Sequence, residues 1–476
     1  MFWSKTRHNY QFLLILGLFI ITRISSLGIF PHFYDSPEYV KLAQLRQPLE
    51  AIRQSHESLH PLYIWSIQLA YYLKPNIVAI SSVSFIFGLI TFFGLAYFLK
   101  NNFGKIITRK ALLIFTLFPA TFLLHTQIMH ESLEHALLIW GIVALTEFFK
   151  RHRFYLFFSS ILLFSLAISN YIGIIFWFPL CFAVVWWIQK KWNKSDLILL
   201  GINFISSIVI GYLAITALMF FTNIKLDNRF GFFTQQIIPL LDILTPIGFL
   251  RGLRNIIYVL FYGYGVLAPL VFLIAIIKTV FIKNWRNTII LSIGFICLIV
   301  SNYFWHGGMY GRLAGVVALF LAILIAFIKT KWIYILVCIS TAFSLLVTFI
   351  VYHQEPIPIK QLNIIKQVIN SDNDFIVISD YQRPQLEINN KIVVGSATYQ
   401  QAQTQIKQAI DSNQHVYITS QAITFPYEQY DGQTKHILSN GPIQKSHLYS
   451  FLSAYSLHKV IEDSNYPLLN LYEVKK

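Results

Sequence analysis

The sequence predicts a polytopic α-helical membrane protein of about eleven transmembrane helices, with its amino terminus inside and a small α/β domain outside. Three observations carry that expectation. Of 476 residues, 56% are hydrophobic and only 12% charged, with a mean hydropathy of +0.58, whereas a soluble domain carries about 25% charged residues. Apolar runs of span length recur from Gln11 to Tyr352, more than a water-exposed fold can hide. Beyond Tyr352 the chain turns polar, rich in Gln and Asn, with short alternating elements.

The apolar runs occupy 11–30, 77–99, 111–126, 132–149, 154–169, 171–188, 197–221, 256–278, 288–305, 313–328 and 332–352. The first follows Lys5 and Arg7 and lacks a small-residue cleavage site before Phe33, so it reads as a retained span rather than a cleaved signal. Orientation comes from the basic clusters between runs: Lys100 to Lys110, Lys150 to Arg153, Lys190 to Lys194, Lys278 to Arg286, and Lys329 with Lys331. Positive residues mark the cytoplasmic side. One further apolar piece, Leu62 to Leu73, would push all of these clusters outside if it crossed. It is also only about 18 Å long at 1.5 Å per residue, against a hydrocarbon core of about 30 Å. It is therefore expected to be a juxtamembrane or re-entrant helix on the outer face.

This threading divides the chain into a transmembrane domain, 1–352, and an extracytoplasmic domain, 353–476. The outer face receives the loop 31–76, the turns near His130 and Asn170, the loop 222–255, and the tail. In the tail, strands are expected at Phe375 to Ser379, Ile392 to Val394, Val416 to Thr419 and Leu468 to Val474. Helices are expected at Ile359 to Asn370, Tyr399 to Ile410 and Ser446 to Ile461. Strands alternating with helices suggest an α/β layer domain. The formal charge of +16 sits in short loops between spans, which argues for a lipid bilayer as partner and against nucleic acid. Cys181, Cys297 and Cys338 lie inside apolar runs without paired spacing, so neither a disulfide framework nor a cysteine zinc site is implied. The one Asn-x-Ser/Thr triplet, at Asn193, is on the cytoplasmic side, which favours a bacterial cytoplasmic membrane over an ER lumen.

Candidate chemistry gathers on the outer face. Asp35 and Glu38 flank Ser36 and Pro37, an arrangement that serves either as helix capping or as a carboxylate base at the membrane surface. Arg23 lies inside the first run, where it must face protein, water or an anion, or else snorkel to the interface. His60 and Pro61 open the short non-spanning helix; a surface turn is the plain alternative. His125, His130, Glu131, Glu134 and His135 crowd one outer turn, with pairs one helical turn apart, spacing that suits an interfacial polar helix end or a metal. Lys225, Arg229, Arg251, Arg254 and Arg312 give a basic rim, suited to phosphate or to interfacial anchoring.

Taken together these residues resemble the GT-C superfamily of membrane glycosyltransferases, near its protein O-mannosyltransferase and aminoarabinose-transferase branches. The resemblance rests on the arginine of the first span, the acidic first outer loop, the His60-Pro61-Leu62 helix start, Glu131 in the second outer turn, and Gly311-Arg312 before a late span. Asp35-Ser36 stands where relatives have Asp-Glu, and Leu313 where they have Tyr. The resemblance implies an inverting hexosyl- or pentosyltransferase acting on a polyprenyl-phosphate-linked sugar donor, with a glycan, lipid or protein hydroxyl as acceptor. It implies Asp35 as catalytic base, with Glu38, His60, Glu131, Arg23, Arg254 and Arg312 binding substrate. No cofactor is demanded by the residues, and a divalent cation stays open. Two other readings remain: a lipid-linked oligosaccharide ligase or polymerase, which places its large loop between late spans, and a transporter or flippase, which needs symmetric halves and ionisable span centres.

Overall fold

The computed structural model describes residues 2–28, 36–54, 60–189, 192–223, 315–328, 330–354, 375–379, 392–394, 399–419, 451–461 and 470–476, with scattered positions between 245 and 297. Two compact units emerge, one of Met1–Ile29 with Tyr39–Val351, the other of Phe30–Glu38 with Tyr352–Lys476.

The first unit is a helical bundle. Helix α1 spans Phe2–Ile24, α2 Ser36–Gln44, α3 Pro48–Gln54 and α4 Pro61–Leu73. Helix α5 covers Ile77–Leu117 and holds one non-helical residue, Gly104, at φ 80° and ψ 174°. A glycine is needed there for conformation rather than space, since a Cβ at Gly104 would meet nothing within 4 Å. The loop expected at Lys100 to Lys110 is thus helix on both sides of one glycine break. Helix α6, Pro119–Thr126, restarts at a proline in its first turn, so the expected span 111–126 is divided at Phe118. Helices α7, Glu131–Arg151, and α8, Phe154–Asn170, follow. The expected span 171–188 begins instead as a 3-10 turn, Ile172–Trp177, before α9, Phe178–Ile188. Helix α10, Lys194–Thr222, starts where Asn193 accepts from the Asp196 amide at 2.6 Å. Helices α11, Gly315–Ala326, and α12, Lys331–Tyr352, close the described bundle. The expected spans 256–278 and 288–305 lie largely outside the described residues, as does the loop 222–255.

Among the described residues, four helices, α5, α7, α10 and α12, are long and apolar enough to cross a membrane, and shorter apolar helices join them. Their surroundings differ in a way only lipid explains. Helix α7 is buried along nearly its whole length, whereas α12 exposes Ile333, Leu336, Ile339, Phe343, Leu346, Val347 and Ile350. An outward apolar stripe of that length would aggregate in water and is at home in hydrocarbon. The chain is an integral membrane protein. Helix α4 has 13 residues, about 20 Å at 1.5 Å per residue, too short to cross. It packs Tyr63, Ile64 and Ile67 against Tyr39, Leu42 and Ala43 of α2 and Ile80 and Val83 of α5.

Contacts among the basic segments give the bundle two ends. Lys150 Nζ donates to Asn102 Oδ1 at 2.7 Å, and Lys110 Nζ to the Ile328 carbonyl at 3.0 Å. Phe103 meets Trp187 and Phe327, and Arg286 lies over Trp186. Helix α7 runs from Glu131 to this basic end at Arg151, so its first turn lies at the opposite end.

The second unit carries a five-stranded mixed sheet: β1 Phe375–Ser379, β2 Ile392–Val394, β3 His415–Thr419, β4 Ser456–Ile461 and β5 Leu471–Lys475, in the order β2-β1-β3-β5-β4. Strand β1 pairs in parallel with β2 and β3, while β5 runs antiparallel to β3 and β4. Helix α13, Tyr399–Asp411, packs Ile406 and Ala409 on Val416, Ile418 and Val474. The helix expected at Ser446 to Ile461 is corrected in its last six residues, which form β4. Leu457 and Ile461 alternate as well as they repeat, and pairing with Val474 and Leu471 decides for the strand. The expected helix at Ile359 to Asn370 lies outside the described residues. Beside β3, burial acts to raise the Glu473 carboxyl, but hydrogen bonds from His415 and Lys475 outweigh it and hold it below the usual range.

Where α8 crosses α10, Gly211 is required for close approach, because a Cβ there would lie 2.7 Å from Ile168 Cβ and 2.9 Å from the Ser165 carbonyl oxygen. Gly211→Val should therefore cost about 1–3 kcal/mol and lower the melting temperature in detergent. Gly201→Ala, on the same helix with nothing within 4 Å, should leave it unchanged.

Candidate functional site

At the end of the bundle away from the basic segments, polar side chains converge from α4, α7 and α8. Three local features place them. Pro61 starts α4, leaving His60 as its N-cap residue. The chain turns between α6 and α7 at Gln127 to His130, so α7 opens with His130 preceding Glu131 and Glu134 in its first turn, where the helix dipole favours carboxylates. Helix α8 ends on Asn170 as Tyr171 becomes extended.

Their side chains interlock. His130 Nδ1 lies 2.6 Å from Glu134 Oε1, and His130 Nε2 lies 3.3 Å from Glu131 Oε1. Each ring nitrogen therefore faces one carboxylate, an arrangement suited to a proton or another cation shared between two acids. Asn170 Nδ2 donates to Glu134 Oε1 at 3.0 Å, while Asn170 Oδ1 accepts from the Tyr63 amide at 3.1 Å. The Asn170 carbonyl oxygen can only accept, so His60 donates through Nδ1 at 2.9 Å. The two imidazoles stack with centroids 3.5 Å apart and planes 13° from parallel. Tyr39 and Tyr171 edge both rings, and Tyr63 adds a hydroxyl contact of 2.8 Å to Ser84. The cluster is buried, at 5% exposure for His60, 2% for His130, 5% for Glu131 and 1% for Glu134.

Arg23 forms a second polar point. It sits in the last turn of α1 with no exposed surface, so it does not snorkel. Its Nη2 donates to Thr121 Oγ1 at 3.1 Å and its Nη1 to Thr22 Oγ1 at 2.8 Å. The guanidinium lies 4.3 Å from the Phe19 ring centroid, a cation–π contact. Its Nε has no hydrogen-bond partner among the described residues, and neither does either ring nitrogen of His125. His125 interacts electrostatically with Arg23 and His135, and His135 with Glu131.

Of the residues singled out from sequence, the structure brings His60 and Glu131 together and sets Arg23 apart on α1. Glu38 falls in the first turn of α2. Asp35, Arg254 and Arg312 lie outside the described residues. Sequence reasoning overlooked Asn170 as the hub and Tyr63 and Ser84 as its supports. The available signal was a carboxamide closing an apolar run, since a polar side chain at membrane depth is there for a partner.

No protein-family model matches the chain, and no curated protein does. Among solved structures, the crystal structure of ArnT from Cupriavidus metallidurans bound to undecaprenyl phosphate matches with a TM-score of 0.54 at 10% identity. That match covers 98% of this chain and 97% of that one. The same protein in its apo state matches with a TM-score of 0.51 at 10% identity, covering 99% and 98%. This chain has the ArnT fold. That architecture is the aminoarabinose-transferase-like one the sequence resembles. At 10% identity the likeness concerns architecture, and the chemistry of this ArnT-like chain has to be argued from its own residues.

Asn170→Ala removes the partner of Glu134 and of the Tyr63 amide together. Stability should fall by about 1–3 kcal/mol, and hydrogen exchange should show the first turn of α4 losing protection while α10 keeps its own.

Proposed function

We propose that this protein is an inverting membrane glycosyltransferase. It moves a hexosyl or pentosyl unit from a polyprenyl-phosphate donor to an acceptor hydroxyl on the outer face of a bacterial cytoplasmic membrane. The observation that carries the reading is full-length agreement in fold with an ArnT structure that holds undecaprenyl phosphate, joined to a buried acid and imidazole cluster at one end of the bundle. The basic segments gather at the other end, which by the positive-inside rule faces the cytoplasm.

In this reading Asp35 takes the proton from the acceptor hydroxyl as its oxygen attacks the anomeric carbon. The bond from that carbon to the donor phosphate breaks, and the polyprenyl phosphate leaves with the electron pair. Direct displacement inverts the sugar. Arg312, helped by Arg254 or Arg23, holds the departing phosphate, for which a guanidinium fork is suited. Glu38, three residues after Asp35 in the sequence, joins His60 and Glu131 in binding the substrate. In this reading the carboxyl-terminal domain, 353–476, lies outside and either shapes acceptor entry or supports the bundle; a glycan, lipid or protein hydroxyl serves equally in the chemistry.

Purified protein in bilayer nanodiscs, given a polyprenyl-phosphate sugar and envelope acceptors, should transfer the sugar. Asp35→Asn should lower kcat by about 10²–10⁴-fold with donor binding intact. Equal turnover in variant and wild type removes Asp35 from the mechanism.

A further inference from the structure

We propose that Arg23 on α1 and His125 on α6 hold a small monovalent anion of the halide class inside the bundle. Arg23 has no exposed surface, and among the described residues no carboxylate pairs with it. Arginine stays protonated in proteins. A full positive charge therefore sits beside Phe19 and Phe122, rings that are themselves completely buried. Aromatic faces offset only part of what it costs to take such a charge out of water.

The hydrogen bonds around this charge leave donors over. Guanidinium nitrogens only donate. Nη1 gives to Thr22 Oγ1 at 2.8 Å and Nη2 to Thr121 Oγ1 at 3.1 Å, while those hydroxyls donate onward to the carbonyls of Leu18 and Phe115. Nε has no partner among the described residues. His125, equally buried, has none at either ring nitrogen, and a neutral imidazole carries one N–H. Its ring centroid lies 5.6 Å from that of Phe19, the same ring the guanidinium covers at 4.3 Å. The histidine is also admitted by design of the neighbouring helix: a Cβ at Gly88 of α5 would lie 2.5 Å from His125 Cγ. An imidazole given that space and no hydrogen bond within the protein is free to serve a ligand.

Unspent donors around a fixed positive charge call for a negative acceptor. A halide accepts N–H from several directions, brings no proton of its own, and needs the least room among closely packed rings. One such ion against one guanidinium sums to zero charge, the favourable state for a buried site. A water molecule would satisfy the nitrogens and leave the charge uncompensated. In the glycosyltransferase reading, an ion seated on Arg23 leaves Arg254 as the helper of Arg312.

The ion goes beyond the sugar chemistry and is tested without a sugar substrate. Full-length protein in detergent is exchanged into sodium gluconate, then titrated with sodium chloride or bromide at constant ionic strength while melting is followed by tryptophan fluorescence. Wild type should show a saturating rise in melting temperature, as mass action requires of a ligand that binds the folded state. Lys150→Gln, at the basic end, should show the same rise. Arg23→Met should lose it, and His125→Phe, which keeps a ring against Gly88, should need about tenfold more halide. Should Arg23→Met fail to fold, crystals of wild type grown in bromide decide, with an anomalous bromine peak in hydrogen-bond reach of Arg23 Nε supporting the site. Melting that ignores halide, an equal response in Arg23→Met, or no bromine peak at Arg23 would overturn it. So would a rise given by polyprenyl phosphate and not by halide, which would hand Arg23 to the carrier.

Discussion

The hydrogen bond between His130 and Glu134, 2.6 Å long and buried where α4, α7 and α8 meet, is the interaction on which this bundle's polar end depends. Glu134 also receives Asn170, and Asn170 in turn holds both His60 and the first amide turn of α4. Hydrophobic packing alone would let these helices slide, because apolar side chains against lipid or each other are nearly equivalent. A buried carboxylate has no such indifference: leaving it without its donors costs several kcal/mol. The cluster therefore fixes how α4, which is too short to cross, rests on the crossing helices.

That fixed point explains the arrangement of the rest of the unit. Helix α7 is buried nearly all round by apolar packing against α5, α8 and α9, with the cluster at one end and the Glu147, Lys150 and Arg151 pairs at the other. Helices α10 and α12 turn apolar faces outward and keep their buried polar contacts, Asn203 to the Phe157 carbonyl and Thr341 to the Tyr264 carbonyl, on the inner side. The first helix is held separately, by the hydrogen bond from buried Arg23 to Thr121. An end of the bundle rich in buried hydrogen-bonding groups, opposite an end rich in lysine and arginine, gives the molecule its direction.

Much of this was legible in the sequence, for identifiable reasons. The spans 132–149 and 154–169 agree with α7 and α8 because long apolar runs with polar flanks leave few alternatives. The short helix after His60 was readable from length and charge placement together. Helix breaks differed in legibility: the one at Gly104 falls in the basic cluster between two expected spans, whereas Phe118 and the turn before α9 interrupt apolar runs whose hydropathy gives no sign of interruption. Strand β4 was read as helix because its pairing partner lies at the far end of the tail. In the site, His60 and Glu131 were identified one by one, but their meeting was not, since residues 60, 130 and 170 are joined only by the packing of three helices. Asn170 escaped for the same reason.

The central claim is that Glu134 and Asn170 act as one unit across α7 and α8. A double-mutant cycle measures it directly, using Glu134→Ala and Asn170→Ala singly and together, with reversible unfolding in mixed micelles as the readout. A coupling energy of about 1–3 kcal/mol is the predicted result. Additivity within about 0.5 kcal/mol would contradict it and leave the two side chains as independent neighbours.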